Sequence, residues 1–119
     1  MLLRIRRQAD GRPVADRVRV ADTFWSRFRG LMMSAPLPTG DGLLLEPCSS
    51  IHMLFMRCPI NVAFLAANDM VVACYHSLPP WTGLSGWHRD ACKVVELPAG
   101  TLARTEVTPG TQLTLERID

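Results

Sequence analysis

The sequence predicts a mainly β fold: a compact β-sandwich or barrel, jelly-roll-like, with one short α-helix near residues 23–29. Three observations predict it. Apolar runs of strand length recur along nearly the whole chain, set apart by turn signals such as Asp10-Gly11, Asn68-Asp69 and Pro109-Gly110. Several runs alternate with period two, as Leu3-Arg4-Ile5-Arg6 does. A single stretch has helical spacing: Phe24, Phe28 and Leu31 share one helical face, with Asp22 as a cap and Gly30 as a stop. At least six short strands and one helix can bury their apolar sides only by layering or curling a sheet around a common core.

Taken in order, Leu3–Arg6 and Val14–Val20 form an N-terminal hairpin around Asp10-Gly11 and Pro13. The short helix follows, then a loop of Pro36, Pro38, Gly40 and Gly42, then the apolar Leu43-Leu44-Leu45. Ile51–Met56 reads as a strand that ends at Pro59, since proline has no amide to give to a ladder. Ile60–Leu65 and Met70–Tyr75 flank Ala66-Ala67-Asn68-Asp69 and make the clearest hairpin in the chain. Leu78–Arg89 is a loop rich in Pro and Gly that carries Trp81 and Trp87. Cys92–Leu97 is a strand closed by Pro98-Ala99-Gly100; a further element runs from Leu102 to Val107, and Thr111–Ile118 is the last strand.

With 119 residues, 48% of them hydrophobic and 20% charged, the chain reads as one domain, 1–119, that needs neither metal nor disulfide to fold. No segment approaches the ~18 apolar residues of a membrane helix. The first residues lack the order of charges found in an export signal, so the expected compartment is the cytoplasm. The net charge of +2 is too small to imply nucleic acid. An Arg-rich N-terminal hairpin does offer a nucleic-acid footprint, but Arg4, Arg6, Arg17 and Arg19 alternate with apolar residues, which is the pattern of a solvated strand face.

The polar residues inside apolar runs are the candidates for function. His52, Arg57, Asn61 and Glu96 stand in the most apolar segments, where each needs a partner or a wet recess. Together with Trp81, whose loop is stiffened by Pro79 and Pro80, they form the expected ligand site: Arg57 for an anionic group, His52 for a switchable hydrogen bond, Trp81 for apolar contact. The structural alternative makes His52 a core histidine, Arg57 a partner of Glu96 or Glu46, and Trp81 a pin for its loop. Cys48, His52, His88 and Cys92 are a rival metal set with zinc-like residue types, but without the tight C-x-x-C spacing of a zinc ribbon. The four cysteines are expected to be reduced.

Arg29-Gly30-Leu31-Met32, Gly42-Leu43-Leu44-Leu45, Ile51-His52, the run Phe55 to Leu65, Pro79-Pro80-Trp81, Val94 to Gly100 and Pro109-Gly110-Thr111 occur in an order that resembles the bacterial and archaeal domain of unknown function family 192. The resemblance covers nearly the whole chain. It implies a small mainly β fold and no assigned activity. Asn61 stands where the family usually has Asp, and Gly110-Thr111 where it usually has Gly-Asp. Two carboxylates are thereby absent, and chemistry that needed them is in doubt.

The sequence therefore supports a domain that binds a small anionic ligand or a protein partner, with no catalytic residue and no cofactor assigned. The alternatives are a metal-assisted or Cys-dependent hydrolase at Cys48, His52 and Cys92, and nucleic-acid binding through the N-terminal hairpin.

Overall fold

The computed structural model describes residues 1–21, 37–46, 60–78 and 88–119. They form seven strands: β1 (Leu2–Arg7), β2 (Pro13–Ala21), β3 (Asp41–Leu45), β4 (Ile60–Leu65), β5 (Val71–Leu78), β6 (Lys93–Pro98) and β7 (Leu113–Arg117). One turn of helix, α1 (Thr101–Arg104), separates β6 from β7. The mainly β expectation holds, and both expected hairpins are present: β1 pairs with β2, and β4 with β5. The expected helix near 23–29 and the expected strand at 51–56 lie outside the described residues.

All seven strands belong to one sheet, in the order β5-β4-β6-β3-β2-β1-β7. Its pairings are antiparallel except β2 with β3. The sheet is curled into a half-barrel. Its two edge strands meet at one end, where Met70 bridges Gln112, Val71 N–H donates to Thr111 O, and Gly110 N–H donates to Val71 O. The curl gives the sheet a concave face, filled by Leu3, Ile5, Val18, Leu44, Ala63, Leu65, Val95, Leu97 and Leu113 from all parts of the sheet, with Leu102 of α1.

The outer face has two halves. Across β3, β6 and β4 it is apolar and buried, with Leu43, Leu45, Ile60, Val62, Phe64 and Val94 in one cluster. Across β1 and β2 the same face carries Arg4, Arg6, Arg17 and Arg19, half-buried or exposed, while Leu3, Ile5 and Val18 fill the concave core. Period-two alternation assigned these residues correctly because only one side of that half of the sheet is dry. Where both sides are buried, β4 reads as an unbroken apolar run apart from Asn61.

The element from Leu102 to Val107 is not a strand. Thr101–Arg104 turns once as a helix, and Glu106 then takes a left-handed φ of 57° to bring Val107 back to the core. A single turn is too short to show a 3.6-residue period, so its apolar Leu102 and Val107 look like strand residues.

Gly42 on β3 is hemmed in by Leu97 and Glu96 of β6 and by Val18 of β2. A methyl group at its Cα would sit 3.0 Å from Leu97 Cδ2 and 3.1 Å from the Glu96 carbonyl oxygen. The Glu96 oxygen belongs to a ladder strand and cannot swing aside. Gly42→Ala is therefore expected to lower stability by about 1–3 kcal/mol, read as a lower urea midpoint with the far-UV spectrum unchanged; equal or higher stability would show that β3 and β6 have room to separate.

Candidate functional site

Of the sequence candidates, Asn61 and Glu96 are among the described residues; His52, Arg57 and Trp81 lie outside them. Asn61 pairs with Leu97 and Val62 with Glu96 across β4 and β6. Side chains alternate along a strand, so Asn61 points to the concave face and Glu96 to the outer face. These two candidates do not converge.

Asn61 is fully buried. Its side-chain oxygen accepts a hydrogen bond of 2.8 Å from Leu102 N–H in the first turn of α1, and its amide nitrogen donates to the carbonyl of His76 on β5. One side chain thus ties β4 to β5 and to α1, and gives the Leu102 N–H, at a residue 1% exposed, its partner. An aspartate at this position would serve the first bond but has no N–H for the second.

Glu96 is 3% exposed, and its Oε2 has no hydrogen-bond partner among the described residues. It lies between Leu43 of β3 and Val62 of β4. Burial pushes its carboxyl up from 4.5 to about 8, so at neutral pH it is mostly protonated and carries a proton it can donate. Its expected pairing with Arg57 falls outside the described residues.

On the other side of Val62, in the same cross-strand row, is Tyr75. Tyr75 Oη and His88 Nε2 share a hydrogen bond of 2.8 Å. Phe64 packs against both, with ring centroids 5.7 Å from Tyr75 and 4.5 Å from His88. Of the candidate metal set, His88 bonds a phenol through Nε2, and Cys48 and His52 lie outside the described residues. Cys92, like Cys74, is a free thiol. Burial pushes the Cys74 thiol up to about 11, which keeps it protonated and poorly nucleophilic at neutral pH. The Tyr75–His88 pair was not anticipated. The β4–β5 hairpin register could have placed Tyr75 opposite Val62, but no local signal links it to His88, thirteen residues away.

Residues 5–115 match the profile of DUF192, described as "Uncharacterized ACR". The chain belongs to the DUF192 family. It is 36% identical over 115 residues to a UPF0127 protein of Pyrococcus furiosus, covering 91% of this chain and 94% of the relative. A solved structure from Sinorhizobium meliloti superposes with a TM-score of 0.81 at 24% identity, covering 95% of this chain and 91% of that one. One from Novosphingobium aromaticivorans, a protein of unknown function, superposes at 0.78 with 17% identity, over 96% and 84%. The two structures share the fold. Within the described residues of this DUF192 member, no helix is long and apolar enough to cross a membrane.

The displaced titration of Glu96 has a consequence for stability. Between about 4.5 and 8 the carboxyl is neutral in the folded chain and ionised in the unfolded one. Its raised folded value therefore makes the native chain most stable below that window, and the stability is lost as pH rises through it. Glu96→Gln removes the ionisation. The variant should show a flatter decline of stability from pH 4.5 to 8, with an advantage over the native chain on the order of several kcal/mol above pH 8 and little at pH 4. Denaturant unfolding across this range checks it; parallel curves for the two proteins would mean that Glu96 ionises freely.

Proposed function

We propose that this protein binds a small anionic ligand at the apolar half of its outer sheet face, with Glu96 as a buried hydrogen-bond donor. The observation that carries the reading is the Glu96 carboxyl, buried in an apolar row with Oε2 unpartnered among the described residues. An unsatisfied buried polar group costs about 1–3 kcal/mol, and a ligand oxygen beside it would recover that cost. A carboxyl kept neutral by burial does not repel an anion, and a carboxylate or phosphate oxygen is a good acceptor for its proton. Tyr75 and His88 extend the row with polar tips on apolar bodies, which suits a ligand of mixed character.

Arg57, His52 and Trp81 enter this reading as sequence candidates, for the anionic end, a switchable hydrogen bond and an apolar wall. Asn61 acts from the opposite face by holding β4, β5 and α1 in register. A protein partner remains the alternative ligand. The Sinorhizobium meliloti protein has a provisional description as a transcription regulator, but at 24% identity the likeness speaks to fold. The hydrolase reading at Cys48, His52 and Cys92 and the nucleic-acid reading have no specific observation in their favour.

The test is an amide-shift titration with a panel of small carboxylates, phosphates and sugars. Saturable shifts should centre on Val62, Tyr75 and Glu96. Glu96→Gln keeps a donor and should bind within a fewfold of the native chain, whereas Glu96→Leu should lose about tenfold or more. Affinity of the native chain should fall as pH rises through about 8, where Glu96 becomes an anion. Binding that is independent of pH and of the Leu substitution would overturn the reading.

A further inference from the structure

A recess opens on the other half of the outer face, and it does not depend on the Glu96 reading. Its cavity is about 180 Å³, lined by Leu2, Arg17, Arg19, Leu37, Asp41 and Gly42. The strand pairings assemble it. Arg19 lies opposite Leu2 on β1 and opposite Leu43 on β3, and Arg17 lies opposite Asp41. Arg17 and Arg19 are two residues apart on one strand, so their side chains leave the same face with Cα atoms about 6.8 Å apart.

The charges here are unbalanced. On the neighbouring strand Arg4 and Arg6 share Glu116, at 4.0 and 3.5 Å. Arg17 and Arg19 form no ion pair among the described residues, although Asp41 faces Arg17 across the ladder. Two guanidinium groups against one carboxylate leave a net positive recess whose forked donors have no ion-pair partner among the described residues. Guanidinium forks match the oxygens of a phosphate or carboxylate. One fork is enough for a carboxylate. Two forks converging from one strand suit a tetrahedral group with three acceptor oxygens and a charge of about −1.5 to −2. Asp41, at the same rim, can only accept hydrogen bonds when ionised. It would repel a bare anion placed against it but would accept from a hydroxyl beside the phosphate. Leu2 and Leu37 give the carbon skeleton apolar contact. The volume is below the several hundred Å³ of a drug-sized site and fits a headgroup or a three-carbon compound.

We propose that the recess formed by Arg17, Arg19 and Asp41 binds a small phosphomonoester that carries a neighbouring hydroxyl group. Arg17 and Arg19 hold the phosphate, and Asp41 selects the hydroxyl.

Glycerol 3-phosphate, methyl phosphate and acetate are the probes, titrated into the full chain at constant ionic strength while the amides of residues 17–19 and 41–42 and the arginine Nε–H resonances are followed. Glycerol 3-phosphate should produce saturable shifts there and bind more tightly than methyl phosphate, with acetate weakest. Arg19→Gln and Arg17→Gln should each weaken it by about tenfold, and both side chains are exposed, so folding should survive. Asp41→Asn should reduce the preference over methyl phosphate without abolishing binding. Glu96→Leu should leave these shifts unchanged, which separates this site from the one proposed above. Shifts that never saturate, that sodium chloride of equal ionic strength reproduces, or that persist in the double Arg17→Gln, Arg19→Gln variant would overturn the assignment. Acetate binding as tightly as glycerol 3-phosphate would overturn the choice of phosphate.

Discussion

Strand β6 accepts the ladder of β3 on one edge and of β4 on the other. It is the link between the N-terminal strands and the β4–β5 hairpin, and residues 94–97 are buried on both of its faces. Such a strand offers no wet side to any residue in its middle. Val94, Val95 and Leu97 meet that constraint with apolar side chains, whereas Glu96 meets it by giving up its charge. The protonation of Glu96 and the absence of a side chain at Gly42 both follow from where β6 sits.

The two polar residues in this central region resolve burial in opposite ways. Asn61 has both a donor and an acceptor, and the concave face supplies a carbonyl and an N–H to match them. Its two bonds replace contacts that water would make, so its burial costs little. Glu96 has no such complement among the described residues. A buried group that is satisfied belongs to the architecture. One that is not is either an uncompensated cost or a place for something else, and this contrast directs the functional reading to the outer face.

That face is also divided by charge. Its β1–β2 half is cationic and open, its β3–β6–β4 half apolar and closed, and Leu43 lies between Arg19 and Glu96 on a single cross-strand row. The division follows the spatial order of the strands in the sheet. β1, β2 and β7 form one side of the sheet, and apart from Ala21 at the end of β2 their outer side chains are at least partly in solvent and alternate accordingly. Their arginines are thus set in a row at fixed spacing, a geometry that scattered surface arginines lack.

The mainly β class, the two hairpins and the buried or exposed sense of β1, β2 and β4 were legible in the residues, because period-two alternation and turn signals are local. Family membership was legible as well, since it rests on the order of short motifs. The polar residues most in need of explanation were found the same way, as charges inside apolar runs. Their surroundings were not. Whether Asn61 and Glu96 share a face depends on the pairing of β4 with β6, twenty-eight residues apart at the nearest ends, and no local pattern sets that register. The parallel pairing of β2 with β3, the helical turn at Thr101–Arg104, the Tyr75–His88 bond and the recess at Arg17 and Arg19 are likewise products of long-range packing. Local chemistry chooses which residues can be buried; which of them then meet is decided by how the sheet curls and closes on itself.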